Sequence, residues 1–168
     1  MKNQVSKEQT SRLSRPELEQ CSLLSLLRRI QREYAMRIQR WGLPMHVAGT
    51  LLEIHLHPET AEPSHLADGD GAGVPRQTMT FILDSLERRA LAKRMAHPVD
   101  RRRKIIRLTP KGSKLAQQIY EDILEFEAHG LEVVPSCEAP VMRERITRYI
   151  EALIEQNKVM KRPSKPKE

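Results

Sequence analysis

The chain has 168 residues, 39% of them hydrophobic and 30% charged, which is enough for one compact domain or for a small domain with an extension that pairs with a second copy. Its formal net charge of +7 is local: residues 73–112 carry 11 Lys and Arg against 3 Asp and Glu, whereas the remainder carries 18 against 19. There is no apolar run long enough to span a bilayer and no apolar core in MKNQVSKEQTSRLSRPE, so a cytoplasmic location is expected, while the distant Cys21 and Cys137 exclude a disulfide framework or a zinc knuckle of their own.

Residues 1–15 read as a flexible N-terminus. From 16 to 41, Leu23, Leu27, Ile30, Tyr34, Ile38 and Trp41 recur every three to four positions, which predicts one long amphipathic helix. Gly42 follows it, and Pro44 suits the first turn of a second helix carrying Val47, Leu51, Leu52 and Ile54 and ending before Pro58. A short third helix fits residues 62–67. The DGDGAG segment at 68–73 reads as a turn.

Pro75 suits the first position of the next helix, where its missing N–H has no acceptor to lose. Met79, Ile82, Leu83 and Leu86 give that helix a buried stripe, and Arg76, Gln77, Thr80 and Asp84 fall outside it. The segments AKRMA and KIIRLT read as two short strands joined by the loop HPVDRRR, which makes a basic hairpin, or wing. Thr109 offers an N-cap and Pro110 an N1 residue for a long helix with Leu115, Ile119, Ile123, Leu124 and Phe126 on one side, ending near Gly130. A last helix fits 138–160, with Val141, Met142, Ile146, Tyr149, Ile150 and Leu153 on its apolar side, and 161–168 read as a disordered basic tail.

The expected fold is therefore mainly α with a small β-wing, a winged helix-turn-helix over 44–110 flanked by helical segments 16–43 and 111–160. Those flanking helices are too long for so small a core to cover. Their spare apolar surface predicts a homodimer. Positive charge concentrated on the wing and the helix before it suits a surface that tracks phosphates.

Other chemistries fit less well. As a calcium loop, DGDGAG supplies Asp68 and Asp70, but Ala72 occupies the third ligand position and Met79 the twelfth residue of the loop; as a phosphate loop it lacks the following Lys-Ser/Thr. His46, His55, His57 and His65 do not form a helical i,i+4 ligand pair and are not completed by a thiol or carboxylate cluster, so neither a metal nor a cofactor is expected. No nucleophile-elbow, Walker, zincin or kinase signature is present, which argues against an enzyme. A winged helix that binds an acidic protein partner through its basic face is the alternative reading.

Three segments, VPRQTMTFILDSL, LERRALAKR and HPVDRRRKIIRLTPKG, resemble the MarR (multiple antibiotic resistance regulator) family of bacterial transcription factors. The wing carries the most specific part, an Asp-x-Arg at Asp100 and Arg102 followed by an alternating strand and a Leu-Thr-x-x-Gly helix start at Leu108, Thr109 and Gly112. The resemblance spans roughly residues 18–154. It implies a dimer whose terminal helices intertwine, with one helix of each winged helix in the major groove and the wing tip in the minor groove of a pseudo-palindromic operator, and a repressor released by a small ligand or stress signal.

Carried over by position, Arg76, Gln77, Thr78 and Thr80 would read the major groove, and Arg101, Arg102, Arg103 and Lys104 would supply the wing, Arg102 entering the minor groove. Asp100 would brace the wing by pairing with an Arg. Cys21 stands either as a buried inert thiol or, as in peroxide-sensing relatives, as a redox sensor with Tyr34 beside it. The chain departs from the family at the five-residue DGDGA turn, at Ala90 where a Gly is common, and at Phe81 and Ser85 where polar or basic residues are frequent.

Overall fold

Seven α-helices, one 3-10 turn and one two-stranded sheet make up the residues that the computed structural model describes, 14–68, 74–97, 100 and 102–159. The chain divides into two units, Met1–Ala116 and Gln117–Glu168. Of the expected turn at 68–73, Asp68 is the last residue of the α-helix Pro63–Asp68, and 69–73 lie outside the described residues, as do Arg101, the first 13 residues and the basic tail.

The first unit begins with α1 (Arg15–Gln20) and α2 (Leu24–Gln39), where the spacing predicted one uninterrupted helix. Cys21 to Leu23 break it. The Ser22 Oγ accepts the Leu24 N–H at 3.4 Å, and a hydroxyl so placed takes a donor that a continuous helix would give to a backbone carbonyl. At the other end of α1, the Glu17 carboxylate accepts the Ser14 hydroxyl at 2.6 Å and the Ser14 N–H at 2.7 Å, and these two bonds, the hydroxyl's first, hold its pKa below the ordinary value.

Helix α3 (Met45–Leu56) follows, with Pro44 as its N-cap, then a 3-10 turn (Pro58–Thr60) and α4 (Pro63–Asp68). Helix α5 (Arg76–Arg88) starts after Pro75 and packs on α3 and α4, the second half of a helix-turn-helix. Its stripe behaves as the spacing predicts: Met79, Ile82, Leu83 and Leu86 are all buried, against a core that includes Val47, Leu51, Ile54 and Leu66. Strands β1 (Ala92–Ala96) and β2 (Lys104–Leu108) pair antiparallel with Arg94 opposite Ile106. The Ile106 N–H donates outward to the Ala61 carbonyl at 2.7 Å, which ties the hairpin to the segment before α4.

Helix α5 ends in a left-handed cap. Ala90 has φ +55°, its N–H donates to Glu87 O at 2.8 Å, and the Leu91 N–H reaches back to Leu86 O at 2.9 Å, so the helix closes as a Schellman motif without the usual glycine. A Cβ in that conformation is strained. Ala90→Gly is expected to raise the unfolding free energy by about 0.5–1 kcal/mol, the relief being partly offset by the entropy glycine loses on folding. Urea titration of the two proteins tests this, and a midpoint that stays put or falls would contradict it.

Helix α6 (Pro110–Leu131) begins in the first unit and continues into the second. Thr109 caps it as the sequence predicts, its Oγ1 accepting the Gly112 N–H at 3.0 Å while donating to Ala90 O at 2.7 Å. In the second unit, α7 (Ala139–Val159) has no buried residue among those whose side chains are described, and Ile146, Tyr149, Ile150 and Leu153 are 41–48% exposed. No helix is long and apolar enough to cross a membrane among the described residues.

Candidate nucleic-acid interface

Burying one side of α5 leaves the other for recognition. Arg76, Gln77, Thr78 and Thr80 are all exposed at its N-terminal end, so the fold brings together the four residues the sequence singles out there. The Thr80 Oγ1 donates to the Arg76 carbonyl at 3.1 Å, which fixes the hydroxyl and presents the methyl. Gln77, by contrast, carries an amide with both a donor and an acceptor, the set needed to bond adenine N6 and N7 together.

At the wing, the chain turns on Asp100. Its Oδ1 accepts the Arg102 N–H at 3.0 Å, its carbonyl accepts the Arg103 N–H at 3.0 Å, and its own N–H donates to His97 Nδ1 at 3.2 Å. Among the described residues the carboxylate therefore holds an arginine by its main chain, as an Asx turn, where the resemblance implied a bond to a side chain. Arg102 on this turn and Lys104 at the start of β2 have exposed side chains. Arg103 is arranged differently: Nε and Nη2 lie 2.9 and 2.6 Å from the two Glu62 carboxylate oxygens, a forked pair that latches the wing to the start of α4. Glu62 is the better shielded partner, its side chain 14% exposed.

A second clamp orients the reading helix, and the sequence reading missed it. Arg94 on β1 pairs with Asp84 at 2.8 Å and with Glu87, both on α5, and its backbone N–H donates to Glu87 at 2.9 Å. Arg107 on β2 bonds the Pro58 carbonyl, Arg89 reaches the Gly42 carbonyl at 3.3 Å, and Lys111 reaches the Arg89 carbonyl at 3.1 Å. Much of the basic charge at 73–112 thus holds the reading head together. The signal was present in LDSLERRALAKR, where two carboxylates three residues apart on a predicted helix precede an arginine on the adjoining strand.

Asp84 lies on the exposed side of α5, where a bare carboxylate would repel phosphate. Arg94 compensates it. Cys21, for which burial was one reading, is exposed at the C-cap of α1. Among the described residues, no group of three or more His, Cys, Asp or Glu is placed to hold a metal.

This is a winged helix-turn-helix, with helix α5 and the β1–β2 wing side by side. No family model matches the sequence, and neither does any curated protein. Solved structures do match: a MarR family transcription regulator with TM-score 0.73 and 22% identity, over 86% of this chain and 95% of that one, and a transcriptional regulator with TM-score 0.70 and 27% identity, over 80% and 98%. Staphylococcus aureus MepR in complex with DNA matches with TM-score 0.66 and 19% identity, over 83% of this chain and 96% of that one. The fold is that of MarR-family regulators, as the sequence motifs implied.

Proposed function

We propose that the protein is a sequence-specific, double-stranded DNA-binding transcription regulator that works as a cytoplasmic homodimer and represses until a small ligand or stress signal releases it. The observation that carries this reading is the pairing of an exposed polar face on α5, formed by Arg76, Gln77, Thr78 and Thr80, with a braced wing that exposes Arg102 and Lys104. The first set can reach base edges and phosphates in a major groove, the second a narrow and negative minor groove. That MepR, of the same fold, was captured on DNA supports the docking mode.

The second copy is supported by α7, whose large apolar residues Ile146, Tyr149, Ile150 and Leu153 all remain exposed in the single chain. Release by a ligand is supported by a cleft of about 540 Å³ lined by Arg32, Met36, Leu43, Met45 and Arg89. Arg89 follows the last residue of α5, so a ligand that draws it away from the Gly42 carbonyl would disturb the end of the reading helix. Such a ligand acts only to the extent that it prefers one of the two arrangements.

Selection of bound duplexes from a random pool tests the proposal: a recovered pseudo-palindrome supports it, and no enrichment over random DNA rules it out. On the recovered operator, Gln77→Ala is expected to relax base preference at one position per half-site by about 1–3 kcal/mol, whereas Arg102→Ala weakens operator and random DNA alike and lowers the salt slope. Equal losses on both DNAs for Gln77→Ala would remove it from base reading.

A further inference from the structure

Phe81 is exposed on the same helix. The residue is 63% exposed, while the other large apolar residues of α5, Met79, Ile82, Leu83 and Leu86, are each at most 2% exposed. It follows Gln77 by four residues and Thr78 by three, and so lies with them on the side away from the buried stripe. Its other helical neighbours at these spacings are Asp84 and Ser85, and Arg88 follows two turns on; all three are polar.

An aromatic ring in that position gains hydrophobic free energy only against an apolar surface supplied by something else. A protein-binding patch would group several large apolar side chains, and on this face of α5 Phe81 stands alone. Hydrogen-bonding and cationic neighbours match the edges of a major groove instead. That groove offers one small apolar feature, the C5 methyl of thymine.

We propose that Phe81 is a specificity-determining residue that packs on a thymine methyl beside the base pair contacted by Gln77, an inference that rests on the DNA-reading function above. One helical turn advances about 5.4 Å and one base pair about 3.4 Å, so the two residues read positions one or two base pairs apart. Thymine, rather than a hydrogen-bonding pattern, is then the requirement at the second position.

The test uses the full chain on the operator recovered by selection, with deoxyuridine replacing thymine at one symmetric pair of positions at a time. Deoxyuridine keeps every hydrogen-bonding group and lacks only the methyl. At one such pair the native protein is expected to lose affinity about fourfold per half-site, the effect of one methyl, whereas F81A binds the thymine and uracil operators equally and F81L keeps part of the difference. Because Phe81 is exposed, F81A should unfold at the native urea concentration. Operator binding retained with the same uracil sensitivity in native protein and F81A would overturn the role of Phe81 alone. Loss of subunit association in F81A, with no change in the thymine-uracil difference, would overturn it in favour of a protein contact. A native chain that does not prefer its operator over random DNA would overturn both this inference and the function on which it rests.

Discussion

Gly112→Ala is expected to destabilise the protein by about 3 kcal/mol or more, a large share of the stability of an ordinary domain. A Cβ at this position would meet the Leu91 carbonyl oxygen at 1.8 Å and the carbonyl carbon at 2.8 Å, and both belong to backbone that cannot rotate aside. The same Leu91 oxygen accepts the Thr109 N–H at 3.0 Å, so moving it breaks the junction between the wing and α6. Gly112 also gives its N–H to the Thr109 hydroxyl that caps α6. Unfolding in urea, followed by circular dichroism, measures the effect. A native midpoint in the variant would show that the first turn of α6 can shift without loss. The glycine of the Leu-Thr-x-x-Gly motif is therefore a packing requirement, distinct from any direct role in binding.

The second large effect is expected at α7. Introducing a charge by Ile150→Glu should convert the protein to a single chain in sedimentation equilibrium and weaken operator binding by about 100-fold or more, because two linked reading heads gain a factor of roughly 10² to 10⁴ over one. The reason is the exposure of Ile146, Tyr149, Ile150 and Leu153 along one 21-residue helix, a surface that water alone does not stabilise. A carboxylate placed in the apolar contact between copies would be left without a partner there, a loss of several kcal/mol. The variant's first unit contains its own buried core and keeps its fold, so circular dichroism should show most of the helix retained. An undiminished mass with undiminished binding would exclude α7 as the dimer contact.

How far the sequence carried the structure depends on the kind of interaction. Helix α5 was legible because burial repeats with the helical period: the spacing of Met79, Ile82, Leu83 and Leu86 states which side faces the core. The hairpin was legible from two short β-prone runs around a Pro- and Asp-containing loop, and the start of α6 from Thr109 and Pro110. The interruption at Cys21 to Leu23 was not, since the apolar spacing that marks the helix starts only at Leu23 and carries no signal for what precedes it. A periodic pattern also names an apolar face without naming its cover. Leu27 and Ile30, on the expected apolar face, are 46% and 53% exposed, and of that stripe Ile38 alone is buried.

Charge pairing was the least legible layer. Glu62 and Arg103 are 41 residues apart, and no local rule connects them. Read by composition, all the arginines of the basic segment look alike; in the fold, Arg94, Arg103 and Arg107 hold neighbouring elements while Arg102 remains exposed on the wing turn. The resemblance pointed to Asp100, but the atom its carboxylate holds was not legible, because a short carboxylate at a turn finds a main-chain N–H two residues on at least as readily as a side chain.

The Arg94 clamp makes the reading helix and the hairpin a single transferable part. Grafting a foreign recognition helix into this scaffold to change its target would remove Asp84 and Glu87, strand Arg94, whose side chain is only 28% exposed, and let the new helix settle at an angle of its own. A workable exchange must carry residues 84–94 as one block. Reprogramming this protein is accordingly a matter of altering the base-contacting letters at 76–81 while that block, with its acidic and basic ends in register, is kept intact.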